Sequence, residues 1–520
     1  MLHADLAFDD LAAPLGFVEG GFSIGQSQVR LVQHRMLRSV LLEGADRIVA
    51  IVLERFADDP EGLEHVVDAT DGQIQTHLDD LEDYPLDFAA LTIDRRRRAI
   101  RYTASPTISI PVYCLATAGR ARFDWDYARL LGSGPHEIVW DYALAQIAGV
   151  STYGPATVVS GLYRATSGAT LVVTTAGVDA ILPEPVRHDG PRELPPGVDA
   201  EALFRETVIS ILDARPLDPR RTAVELSGGM DSALTGLATA HVTGDGAMSL
   251  GAQFDGAMGE AQRARRLLLC RAGSFADLSV PAGRYAPFSP RSLRRRRHQV
   301  WPEDENYPEI FEAAFHMLRA AGIDTLVSGF GGDELYFAYR DEAGEDGVAA
   351  EPPPCPFLTA RGMATALSAR STYPSAWLQQ TCWQSAASQS QRVLRYGLWP
   401  VYPYLNVALA RFVSRLPAAF RRDRRILRRT LTRWLGNPVF ETAYVKESFD
   451  PVARRGIAEN RAWLQALVRH SPLSRHAEID TAAILAALDS DIDRLDRARY
   501  NALFRFLKIA CFFQSDRPLN

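Results

Sequence analysis

Residues 223 to 240 constrain the fold more than any other stretch of the chain. A short apolar run, Ala223–Leu226, leads into Ser227-Gly228-Gly229-Met230-Asp231-Ser232, and small apolar residues follow over Ser232–Ala240. That order predicts a strand, a glycine-rich turn and a helix. Glycines let the backbone approach phosphate oxygens closely, and amides opening a helix favour an anion. The Ser227 and Ser232 hydroxyls add donors. An aspartate would repel phosphate unless a divalent cation stood between them, so Asp231 reads as a Mg²⁺ ligand. The plainer alternative is a helix N-cap with a glycine turn; the full six residues in this setting favour the anion site.

A second loop of the same kind lies about one hundred residues on. Ser328-Gly329-Phe330-Gly331-Gly332-Asp333-Glu334 follows the predicted strand Thr325–Ser328. Between the two loops the pattern alternates: a strand over Ala247–Phe254, a helix from Gly259 to about Ala272, and a helix over Glu309–Ala321. Such alternation predicts a parallel sheet covered by helices, with both loops at the carboxyl ends of strands. Asp333 then joins Asp231 around one Mg²⁺, and glycines 329, 331 and 332 let the loop pass close to a nucleotide.

Before residue 190 the chain reads as β-rich. Ile48–Leu53 is a short apolar run, Phe88–Ile93 and Ala99–Tyr102 flank an Asp94–Arg98 tip, and Val158–Tyr163 and Thr170–Thr174 are expected to pair around Ser167-Gly168. Prolines 183, 185, 191, 195 and 196 then interrupt any regular element, which places a domain boundary there. The division is residues 1–190 and 200–520, as a chain of 520 residues requires more than one core. The acidic, Gly- and Pro-rich stretch Asp341–Pro354 reads as a mobile loop or lid, and the remainder as mainly helical.

Composition excludes some functions. A net charge of −6 gives no reason to expect nucleic acid. No apolar run is long enough to span a membrane, and the N-terminus lacks the pattern of a secretory signal, so a cytoplasmic protein is expected. Five scattered cysteines without a CxxC pair argue against zinc and disulfides. Only two of the 57 basic residues are lysine, Lys446 and Lys508. In a chain that so rarely chooses it, a lysine in a suggestive place reads as required for its chemistry, since an ammonium fits tight sites that a guanidinium cannot.

The two loops together resemble the asparagine synthetase-like family, whose nucleotide loops read SGGxDS and SGxGxDE. Phe254 followed by Gly259-Glu260 is similar to that family's second strand and helix start. The resemblance implies an α/β fold with a PP-loop ATP pyrophosphatase domain (adenine nucleotide α-hydrolase-like) and a helical C-terminal part. It implies ATP and Mg²⁺ as cofactors and a carbon–nitrogen ligase: a carboxylate is adenylated, pyrophosphate leaves, and an amine attacks. Ser227, Gly228, Gly229, Ser232 and Gly329 would then hold ATP or pyrophosphate, with Asp231 and Asp333 as metal ligands. Arg424-Arg425-Ile426-Leu427-Arg428 is similar to the family's Lys-x-x-Leu-Arg, which makes Arg424 and Arg428 candidate phosphate contacts. Tyr444-Val445-Lys446-Glu447-Ser448-Phe449 is similar to its Arg-x-Lys-x-x-Phe. Lys446 would neutralise charge developing on the α-phosphate and the tetrahedral centre.

Asp87–Asp94 and Ile110-Pro111-Val112-Tyr113 are similar to the glutamine-amidotransferase domain that precedes that synthetase, a β-rich Ntn-type sandwich. That domain needs cysteine at its second position, where this chain has Leu2, and its Arg-Asp has become Ala104-Ser105. The domain therefore reads as degenerate, and ammonia as excluded. Relatives without a glutaminase take an amine from the substrate itself. β-Lactam synthetases carry Tyr where this chain has Phe330. The segment Pro352–Thr359, with Gly397–Pro403, looks instead like lasso peptide macrocyclases. Those join an Asp or Glu side chain of a precursor peptide to its own N-terminal amine, alongside a partner protease and a leader-peptide-binding protein. A β-lactam-type enzyme and a catalytically silent peptide-binding scaffold stand as the alternatives.

Overall fold

The computed structural model describes residues 1–132, 134, 136–188, 190–336, 353–441 and 448–514. It shows a mixed α/β protein with three sheets and a helical C-terminal region. Two seven-stranded sheets come from residues up to 181. In one, Leu2–Ala7 lies antiparallel between Arg120–Asp124 and Ser27–Leu31. In the other, Arg47–Glu54 lies antiparallel between Leu37–Glu43 and Phe88–Asp94.

The apolar run within Arg47–Glu54 is buried on both faces because each face has its own cover. Ile48, Ala50 and Val52 face the core shared with Leu2 and Phe22, whereas Val49, Ile51 and Leu53 pack with Ile74 of the helix Asp71–Asp79. A strand covered on both sides loses the alternation of a half-exposed one and reads as a continuous apolar run.

One expected pairing does not form. Leu162–Arg164 pairs with Tyr113–Thr117 in the first sheet, while Thr170–Thr174 lies in the second, between Ala99–Ala104 and Gly177–Ile181. The intervening turn crosses between sheets rather than reversing within one. The Ser167 amide donates to the Tyr153 hydroxyl and its Oγ donates to the Pro106 carbonyl, and Gly168 adopts φ +66°. These side-chain anchors lie too far away in sequence for a hairpin pattern to reveal them.

No helix or strand occurs among the described residues between Ile181 and Ala200. Their amides bond outward instead, Val186 to the Ser375 carbonyl and Arg192 to that of Arg415. Next comes a five-stranded sheet, parallel throughout, in the order Ala276–Pro281, Met248–Gln253, Thr222–Glu225, Thr325–Val327, Trp399–Val401. The helices Met230–Thr243, Gly256–Ala272, Pro308–Ala320 and Gln380–Arg395 accompany it. Its two outer strands escape sequence reading for physical reasons. Ala276–Pro281 is largely exposed and polar, and Trp399–Val401 carries a proline, which an edge position tolerates.

The acidic stretch read as a lid falls mostly at 337–352, outside the described residues. Lys446 lies outside them too. All five cysteines are free and buried. Burial pushes the Cys114 thiol up to about 12, so it is no nucleophile at neutral pH. No described helix is long and apolar enough to cross a membrane.

Candidate functional site

The two glycine-rich loops meet at the carboxyl ends of neighbouring parallel strands, Thr222–Glu225 and Thr325–Val327. Between them opens a cavity of about 330 Å³, lined by Ser227, Gly229, Asp231, Ser232, Gly329 and Asp333 among others. The helix Met230–Thr243 begins at its wall with Gly229 as N-cap, so the positive end of the helix dipole lies at the cavity. Two side chains of the helix Gly256–Ala272 pin the loop from behind. Gln262 donates to the Ser227 carbonyl at 2.6 Å and Arg265 to that of Gly228 at 3.1 Å. The two serine hydroxyls lie 3.0 Å apart, and Ser232 Oγ also accepts from the Ser227 amide.

Gly228 adopts φ +83°, a conformation that favours glycine. Two glycines of the second loop also serve a packing need that the sequence reading did not foresee. A Cβ at Gly329 would come 2.9 Å from the Ser232 nitrogen, and one at Gly332 would come 2.7 Å from Asp231 Cβ, Cγ and Oδ1. These positions must lack a side chain because the loops press on each other. Gly332→Ala is accordingly expected to cost about 1–3 kcal/mol in urea unfolding, as overpacking does; unchanged stability would show that the loops can part freely.

Arg424 joins the loops electrostatically. Its Nη1 donates to Asp231 Oδ2 at 2.7 Å and to Asp333 Oδ1 at 2.5 Å. Burial disfavours the guanidinium charge, but the facing carboxylates of Asp231 and Asp333 outweigh that and hold its pKa above the ordinary value. Asp423 and Arg424 both adopt left-handed backbone, at φ +52° and +53°, just before the helix Arg425–Leu435. Such strain at successive non-glycine residues costs of order 1–3 kcal/mol each and gathers at functional sites. Arg428 lies elsewhere. It donates to the Asp423 and Phe440 carbonyls and lines a separate arginine-rich groove with Arg425, Arg429 and Glu201.

The two aspartates fit a divalent cation held jointly with substrate phosphates. They already share one cationic group, and Mg²⁺ commonly takes one or two carboxylates and completes its shell with phosphate oxygens and water. No described group of three or more His, Cys, Asp and Glu residues could hold a metal unaided.

One side of the cavity is largely apolar. Leu250, Ala252, Val280, Ile310 and Ala314 line it together with Phe254, Phe311 and Phe449. Phe449 meets Phe254 edge-on at 4.7 Å and stacks on Tyr307 at 4.3 Å. Ring faces and edges of this kind favour packing of a further flat ring. Phe449 stood in the motif around Lys446, yet nothing in its spacing announced a ring-lined slot.

Glu225 was missed altogether. It ends the central strand, lines the cavity, and accepts hydrogen bonds from Gln389 Nε2 at 2.6 Å and from Ser328 Oγ. Burial pushes its carboxyl up to about 7, despite those two donors. A signal did exist, since Glu225 is a lone carboxylate in the run Ala-Val-Glu-Leu.

No family model matches the chain, and no curated protein matches it. Among solved structures it is similar to glutamine phosphoribosylpyrophosphate amidotransferase from B. subtilis complexed with ADP and GMP. The TM-score is 0.23 and the sequence identity 8%, over 74% of this chain and 95% of that one. A likeness that loose says nothing of the chemistry here, which stands on the residues around the cavity.

Proposed function

We propose that the chain is an ATP-dependent carbon–nitrogen ligase of the asparagine synthetase type, built on a PP-loop pyrophosphatase domain. The observation that carries this reading is the convergence of Asp231 and Asp333, from two glycine-rich loops, on Arg424 beside an aromatic slot. The purine ring would lie against these aromatic side chains, and the triphosphate would run along Ser227, Gly229 and Ser232 toward the aspartates. When bound, Mg²⁺ supplies charge neutralisation to the leaving pyrophosphate. Arg424 then exchanges carboxylate for phosphate partners, and the amides and hydroxyls of the first loop hold the departing anion.

Within this class we favour macrolactam formation on a precursor peptide. An Asp or Glu side chain of the peptide would be adenylated, and its N-terminal amine would close an isopeptide ring with loss of AMP, as in a lasso peptide cyclase. An α-amino group is only weakly basic, with a pKa near 8, so Phe330 in place of a proton-accepting tyrosine is tolerable. Holding the peptide pre-folded would supply much of the rate. A partner protease and a leader-peptide-binding protein belong to the same proposal.

ATP–pyrophosphate exchange tests the class. Exchange should appear with a peptide bearing the right Asp or Glu, and Lys446→Ala should lower it by about 10²-fold or more, the effect of removing an electrostatic stabiliser. Silence toward every carboxylate offered would leave a peptide-binding scaffold as the better reading.

A further inference from the structure

We propose that Glu225 is the base that accepts the proton of the attacking amine. The inference deepens the adenylating reading and rests on it. Phe330 lines the same cavity with no group able to take a proton, so some other residue must do so or the amine must lose it to water.

Glu225 is placed for the task. It sits at the carboxyl end of the strand that leads directly into the phosphate loop, and it faces the cavity that Asp231 and Asp333 share. Its carboxylate is fixed from two sides, by Ser328 Oγ and by Gln389 of the helix Gln380–Arg395. Ser328 immediately precedes Gly329, where the backbone of Asp231 and Ser232 leaves no room for a Cβ. The carboxylate is thus anchored one residue from the loop contact that frames the phosphate end.

A carboxylate at the end of a buried strand, with no ion-pair partner among the described residues, costs stability, a cost that a catalytic task would explain. Among the described residues, few groups act on it. Burial raises its pKa most, Ser328 and Gln389 lower it, and Glu305, from the segment before the helix Pro308–Ala320, raises it. Tyr402, following the strand Trp399–Val401, is itself raised by burial and by the Glu225 charge and stays neutral.

The step balances simply. The neutral amine nitrogen forms its bond to the acyl carbon, the bond from that carbon to the AMP oxygen breaks, and AMP departs with the electron pair. The nitrogen's surplus proton passes to Glu225, which returns it to solvent once product leaves. A base whose pKa lies near the working pH is the most effective kind.

Two amines of different demand test the role in the full chain, with Mg·ATP and whichever carboxylate supports exchange. Hydroxylamine is weakly basic and sheds its surplus proton readily to water after attack, whereas the more basic glycinamide holds it and depends on an acceptor. Glu225→Gln should slow glycinamide adduct formation by about 10²- to 10⁴-fold, the usual reach of a general base, and should change exchange and hydroxamate formation far less. The wild-type glycinamide rate should rise with pH through an inflection near 7, and Ser328→Ala, which removes a donor to the carboxylate, should move that inflection upward. In the infrared, a protonated carboxyl band present at pH 6 and lost by pH 8 should be missing from Glu225→Gln. An unchanged glycinamide rate, an equal loss of exchange, or a band that survives the substitution each overturns the assignment. Absence of exchange in the wild type would instead fell the ligase reading itself.

Discussion

In the proposed ligase, Asp231→Asn should lower ATP–pyrophosphate exchange by about 10³-fold or more while the protein stays folded. The amide keeps the shape of the carboxylate but not its charge. It would accept from Arg424 more weakly and would be a poor ligand for a hard divalent cation. Arg424 would also lose half of what fixes it, since its Nη1 is shared between Asp231 and Asp333. The magnitude follows from comparable deletions in other enzymes, where removing one electrostatic stabiliser of a transition state costs about 10²–10³-fold; loss of a metal ligand adds to that. Stability should barely move. The main-chain anchor of this residue, the Tyr404 hydroxyl on the Asp231 carbonyl, does not involve the side chain, and an acidic residue in a first helical turn is worth only about 0.3–1 kcal/mol. Exchange at the wild-type rate in Asp231→Asn, or a collapsed fold, would refute the role given to it.

The parts of this protein that the sequence made legible are those whose cause is local. The strand, loop and helix through Thr222–Thr243 show in a period change around two glycines, and the second loop shows in the same way. What lay hidden depends on partners far along the chain. Gly332 is constrained by a side chain about one hundred residues earlier. The crossing at Thr166–Gly168 is fixed by Tyr153 and Pro106. Glu225 matters only because Ser328 and Gln389 fold onto it. Arg428 illustrates the converse. Its motif put it beside Arg424, but the helix beginning at Arg425 turns it away into a different groove.

Arg215→Ala should destabilise the protein by about 3–5 kcal/mol, the penalty for stranding one member of a buried ion pair. Arg215 donates two hydrogen bonds to Glu54, at 2.7 and 2.9 Å, with both side chains almost wholly buried. Glu54 ends a strand of the second seven-stranded sheet, yet it also accepts from the indole of Trp399 at 3.0 Å and from the Asp87 amide at 3.3 Å. One carboxylate therefore ties the N-terminal sheet to an edge strand of the parallel sheet. Without Arg215 it would face Asp87, itself fully buried and with its pKa raised by burial and by Glu54. The double variant Glu54→Gln with Arg215→Met should recover most of the loss. It removes the charge while leaving an oxygen for Trp399, sacrificing only the longer contact from the Asp87 amide, and well-packed neutral groups commonly equal a buried pair. Denaturant unfolding followed by tryptophan fluorescence reads both, and a loss under about 1 kcal/mol in Arg215→Ala would show that the pair is not a weld. Trp399–Val401 pairs with Thr325–Val327, the strand that delivers Ser328 and the second loop. Loosening Glu54 would therefore loosen the loop that sets Asp333 against Arg424, and the Arg215→Ala protein should lose exchange activity at temperatures below its unfolding midpoint.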